Sequence, residues 1–330
     1  VPFDKSGGLI FATRLPGAPK DFAEGKRLWD ALAFPDAPPS LWVHLDRTKS
    51  HAKQWLATQS GLDPVVSDSV LAEETRPRAD AFGNGLLDIF RGINANPGAE
   101  PDELIAIRVW LDPHRVITLR QFRFPTIAEL RVRAQEGNAP KTAGAFLTTV
   151  AIGLATRMGP TIHNLEERPN AIEEEMLDRE TVDDGRRSQL ATIRSQAISY
   201  RRYLVPQRDA LASLASGSAD LLSQHDRIEM RVALEQTTRV CEALKEIRDR
   251  AAVTQDEMRA RHEARVGRTV YLLTIVATVA LPLGILTGLL GINVEGVPLS
   301  DSGWGFAIVC ILLGLIAALQ VFWFRKMRWI

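Results

Sequence analysis

Cysteine is nearly absent: Cys241 and Cys310 are the only two in 330 residues, and neither stands in a C-x-x-C pair or a Cys/His zinc spacing. This argues against a disulfide framework and a structural zinc site, and leaves two small buried hydrophobes as the favoured reading. Net charge is absent too, because 40 Lys+Arg balance 40 Asp+Glu. No basic excess points to nucleic acid, and no acidic excess points to disorder. The chain has no G-x-x-x-x-G-K-[ST] phosphate loop, so ATP-driven transport has no support. No nucleophile motif or metal-hydrolase spacing marks an enzyme either. The opening V-P-F-D-K-S-G-G lacks the basic flank and long apolar run of a secretory signal, and the N-terminal region is expected in the cytosol.

Charge is missing locally in two places where its absence is informative. From Thr269 to Val294, and again from Ser302 to Phe324, no residue carries a formal charge. Each run exceeds the roughly 20 residues that a helix needs to cross a hydrocarbon core. Arg259, Arg261, Arg265 and Arg268 precede the first run; Arg325, Lys326 and Arg328 follow the second; the loop between them holds Glu295 and Asp301 and no cation. The positive-inside rule then puts both termini in the cytoplasm, and Trp304, Trp323 and Trp329 suit the two interfaces. Two helices cannot enclose a hydrated path alone, so a transporter of this kind has to oligomerise within the lipid bilayer.

Upstream of the first span, about Gly217 to Arg268 reads as one helix. Val240, Leu244, Ile247, Ala251, Thr254 and Met258 recur at steps of four and three, and Glu235/Arg239, Glu246/Arg250 and Glu257/Arg261 pair at i,i+4. A coiled-coil-like stalk and an amphipathic helix packed inside its own subunit fit this pattern about equally; the unbroken run into the span favours the stalk. Ala143–Glu180 and Arg186–Ser216 read as helices disturbed at Pro160 or Pro169 and at Pro206. Strands are expected at Gly8–Thr13, Leu41–Leu45, Gly85–Arg91, Leu104–Trp110 and Arg115–Arg120, with helices at Asp21–Ala33 and His51–Gln59. The expected architecture is an α+β membrane protein. It comprises a cytoplasmic α/β domain with a helical hairpin over 1–216, a stalk over 217–268, spans over 269–294 and 302–324, an external loop over 295–301 and a basic tail over 325–330.

The first span ends T-G-L-L-G-I-N-V-E-G-V-P, with Gly291-Ile292-Asn293 at its outer end. With L-W-V-H-L-D at Leu41–Asp46, E-T-R-P-R at Glu74–Arg78 and R-R-Y-L-V-P-Q-R-D-A-L at Arg201–Leu211, this resembles the CorA superfamily of two-span G-x-N metal-ion transporters. Isoleucine in place of the usual methionine makes the motif more similar to the ZntB branch, associated with zinc. The resemblance implies a homopentameric funnel with an α/β/α cytoplasmic domain, in the cell inner membrane. The first span of each subunit would line an axial pore for Zn2+, or alternatively for Mg2+, Co2+ or Ni2+. A membrane-anchored scaffold or sensor is the competing class.

Down the first span from Asn293, one helical face carries Gly288, Gly284, Leu281, Ala277, Leu273 or Thr274, and Val270. Carried over from the resemblance, this face turns to the axis. It holds no carboxylate, histidine or thiolate, so the ion is expected to pass largely hydrated, with the Asn293 amide accepting hydrogen bonds from its waters. Asn293 could instead cap the helix, and Gly284, Gly288 and Gly291 serve helix packing at least as readily as ion contact. Glu295 is expected to enrich cations at the outer mouth; Asp301 fits a solvated loop better. The acidic runs with Glu173 and Glu174, and His225 and His262, are weak metal candidates that read more simply as solvated side chains.

Overall fold

The computed structural model describes residues 7–15, 41–73, 75–100, 102–178, 184–217, 220–291 and 303–326. The chain divides into two compact units, Val1–Gln255 and Asp256–Ile330. The expected helix at Asp21–Ala33 lies outside the described residues.

The first unit is built on strands β1 (Leu9–Arg14), β2 (Leu41–Asp46), β3 (Arg78–Phe82), β4 (Gly85–Ile93), β5 (Leu104–Leu111) and β6 (Arg115–Arg120), in the spatial order β1-β2-β6-β5-β4-β3. Only β2 and β6 run parallel. The strands therefore form one mixed sheet, and both of its faces are covered. On one face Val43, Leu45, Leu87, Ile89, Ile117 and Leu119 pack with Trp55, Leu56, Val66 and Val70 of helices α1 (Ser50–Thr58) and α2 (Pro64–Leu71). On the other, Trp42, Phe90, Ile107 and Val109 meet residues of α3 (Pro125–Gln135), α4 (Ala143–Asp178), α5 (Asp184–Ser216) and α6 (Gln224–Leu290). Alternation along each strand sends successive side chains into the two cores, which is why β2 is buried on four consecutive residues.

Two of the resembling segments converge on one arginine here. Arg91 on β4 donates from Nη2 to the Thr75 carbonyl at 2.9 Å and from its backbone N–H to Gln207 Oε1 at 2.7 Å, and it lies 4.5 Å from the Tyr203 ring centroid. Thr75 belongs to E-T-R-P-R, and Tyr203 and Gln207 belong to R-R-Y-L-V-P-Q-R. These signatures tie the sheet edge to α5.

Several sequence expectations need correction. The helix expected from Gly217 begins at Gln224: Gly217 ends α5 with φ +102, and Ser223 and Asp226 cap α6 reciprocally, Asp226 Oδ2 accepting from Ser223 N at 2.9 Å and Ser223 Oγ from Asp226 N at 3.1 Å. The stripe Val240, Leu244, Ile247, Ala251, Thr254 and Met258 is buried within the single chain, so it packs inside its own subunit and offers no free coiled-coil seam. Glu246 does not hold Arg250, which turns to Glu173 of α4 through Nε at 3.0 Å and Nη2 at 2.6 Å. Pro160, Pro169 and Pro206 stay inside continuous helices. β3, α2 and α3 were not expected.

Candidate functional site: the apolar helix pair

The second unit holds the C-terminal part of α6 and α7 (Gly305–Lys326), the two helices long and apolar enough to cross a membrane. On α6 the half-buried positions are Ile275, Val279, Pro282, Leu283, Leu286 and Leu290. On α7 they are Val309, Leu313, Ile316, Ala317 and Gln320, with Phe324 buried. Both sets recur at three- and four-residue steps, so each helix has one half-buried face.

The stripe singled out in the sequence lies elsewhere. Val270, Leu273, Thr274, Ala277, Leu281, Gly284, Gly288 and Gly291 are all exposed. At 3.6 residues per turn they fall on roughly the opposite face of α6 from the half-buried set. Leu281 is 67% exposed, and a Cβ built on Gly284 or Gly288 meets no atom within 4 Å. No contact among the described residues therefore requires glycine at these two positions.

The polar groups of this face are few. Thr274 Oγ1 donates to the Val270 carbonyl at 2.8 Å, and Thr287 Oγ1 to the Leu283 carbonyl at 2.9 Å. Their hydrogens are committed to the helix, and only oxygen lone pairs face outward. Such a surface can accept from water but cannot replace the coordination shell of a dehydrated zinc ion. Ile292, Asn293, Glu295 and Asp301 lie outside the described residues. Gln320 was missed in the sequence although it is the sole amide side chain in α7; its Oε1 is buried on the half-buried face of α7 with no hydrogen bond among the described residues.

The remaining metal candidates are not brought together. Glu173 is held by Arg250 and accepts from Thr254 Oγ1 at 2.7 Å, and the Arg250 hydrogen bonds keep its carboxyl below the ordinary range. Glu174 is exposed on the same helix, His225 lies 3.5 Å from Glu229 in the first turn of α6, and His262 is exposed in the second unit. No group of three His, Cys, Asp or Glu side chains able to hold a metal ion occurs among the described residues.

Residues 40–326 match the CorA-like Mg2+ transporter protein family. The divalent cation transporter CmaX of Pseudomonas aeruginosa is 38% identical over 98% of this chain and 97% of its own length. A zinc transport protein ZntB of Yersinia pseudotuberculosis is 31% identical over 91% of this chain and 90% of its own. A solved structure of full-length CmaX superposes with a TM-score of 0.84, at 35% identity, covering 99% of this chain and all of that one. A mixed α/β domain, a long helix leading out of it and two apolar C-terminal helices thus coincide with a match over most of the sequence, and the chain belongs to the CorA-like Mg2+ transporter family.

Proposed function

We propose that this protein moves divalent metal cations, zinc foremost, across the cell inner membrane, as a homopentamer with the open face of each α6 around a common axis. The observation that carries the reading is the position of the stripe from Val270 to Gly291. It is exposed in the single chain, opposite the half-buried face of α6, and it includes Gly284 and Gly288, where a Cβ would meet no atom among the described residues. An apolar face left open by its own subunit is free to line a path with copies of itself. The names of the CmaX and ZntB relatives support divalent cations and zinc respectively.

In this reading both termini are cytoplasmic, and the ion keeps most of its water. Asn293, within the Gly291-Ile292-Asn293 signature, offers amide oxygens at the outer end, and Glu295 draws cations to the mouth more than Asp301 does. Leu281 sets an apolar constriction. Selectivity then depends on hydrated size and on the number of oxygen contacts, not on protein ligands bonded directly to the metal.

The test is metal flux into liposomes containing the purified protein, comparing zinc, magnesium, cobalt and nickel with and without a pH gradient. Zinc entry above the other three is expected. Faster magnesium or cobalt entry would reassign the substrate within the family, and no entry of any metal under either gradient would favour a scaffold or sensor.

A further inference from the structure

A groove of about 800 Å3 opens in the first unit between the sheet and α3, well away in sequence from both apolar helices. It falls in the roughly 300–1,000 Å3 range of small-molecule sites. Its polar wall is made of Arg120 at the end of β6, Arg123 just beyond it, Arg131 and Arg133 of α3, and His44 of β2. The one carboxylate in the lining, Glu129, is already bonded to Arg157. Asp46 bears electrostatically on Arg120, but its Oδ1 is taken by the Thr48 backbone N–H at 2.9 Å and the Thr48 hydroxyl at 2.6 Å. Among the described residues the wall thus carries four arginines and one engaged acid, with Arg131 also standing 5.1 Å from the Phe11 ring centroid.

His44 is the second observation. It is 1% exposed, and its Nε2 has no hydrogen-bond partner among the described residues. Its Nδ1 lies 2.8 Å from Thr118 Oγ1, which accepts from Trp42 Nε1 at 2.9 Å and stands 3.3 Å from the Val43 carbonyl. The threonine hydroxyl in turn donates to the Val43 carbonyl, so Nδ1 is the ring nitrogen already engaged and Nε2 is the one left over. Burial first, then the Arg120 charge, keep the imidazole well below its ordinary pKa, with a backbone hydrogen bond at Thr118 acting the other way. A buried polar nitrogen left unpaired is destabilising, and a hydrogen-bonding partner arriving in the groove would relieve it.

We propose that this groove binds a phosphate-bearing small molecule of nucleoside diphosphate size, its phosphates held by Arg120, Arg123 and Arg131, with the unpaired Nε2 of His44 in the same wall. Guanidinium forks match phosphate oxygens in pairs, which favours phosphate over a single carboxylate. The volume exceeds what a lone anion needs, and Ile10, Ile127 and Val132 supply an apolar wall for the rest of the ligand. The site is independent of which metal the protein moves.

Isothermal titration of the full-length protein in neutral detergent, without metal, tests this with ADP, sodium pyrophosphate and the lipid headgroup glycerophosphoglycerol. ADP and pyrophosphate are expected to bind once per chain. Arg123→Gln, at an exposed position, should weaken both at least tenfold with an unchanged melting temperature; Arg131→Gln, which also removes the cation over the Phe11 ring, should weaken both at least tenfold, and Lys53→Gln on α1 should leave them unaltered. No binding of ADP and pyrophosphate, equal affinity in the two arginine variants, or binding of glycerophosphoglycerol alone would overturn the proposal.

Discussion

Asp88 of β4 is fully buried, and neither carboxylate oxygen has a hydrogen-bond partner among the described residues. Burial, and next the charge of Asp80, push its carboxyl well above the ordinary range. The folded chain therefore holds a proton that the unfolded chain releases near the usual carboxylate pKa. Its contribution is fully present at pH below that ordinary value and is lost as pH rises through the raised one. Asp88→Asn, which keeps the shape and cannot ionise, should match the parent in acid and melt roughly 2–4 °C higher at alkaline pH, if about 1 kcal/mol is at stake. Melting curves of both proteins across pH check this; parallel curves would mean that Asp88 gains a partner. Asp88 and His44 were both legible as letters inside strands, but their lack of partners was not, because the neighbours come from elements distant in sequence.

At the scale of elements, legibility followed the length of the pattern. The charge-free runs declared both apolar helices, and alternation declared five of the six strands. β3 escaped because R-A-D-A-F at a sheet edge has little hydrophobic alternation, although the Gly83-Asn84 pair that joins it to β4 is a hairpin signal. α2 and α3 were not expected, although Pro64 and Pro125 each occupy the first turn, where the missing N–H costs nothing, and Asp63 caps α2 by accepting from Val65 N at 2.8 Å. The stripe from Val240 to Met258 was correctly periodic, but period alone does not say whether its own subunit or another covers it. The same question decides the glycines of α6. Since a Cβ at Gly288 meets nothing within 4 Å, Gly288→Leu should leave the melting temperature of the protein unchanged. Metal flux should fall by at least about tenfold, because each copy would add an apolar side chain to the path. Undiminished flux would mean that this face of α6 turns to lipid.

For the whole molecule, the buried stripe removes one argument for assembly and the open face of α6 supplies another. Native mass spectrometry in mild detergent and in lipid should give a pentamer; a stable monomer or dimer in both would leave the open face without its use. In that proposed assembly the α/β unit of each subunit would repeat around the same axis. Asn293 carries the chemical side of the account, as the only amide on the inferred path and at the end where a hydrated ion enters. Zinc uptake into liposomes by the parent, Asn293→Ala and Asn293→Gly is the most direct measurement. The account predicts uptake by the parent and severe loss in both variants with assembly intact, since both remove the amide oxygen while glycine alone preserves a helix cap. A parent that admits no zinc, or an Asn293→Gly protein that admits it as fast as the parent, would contradict it.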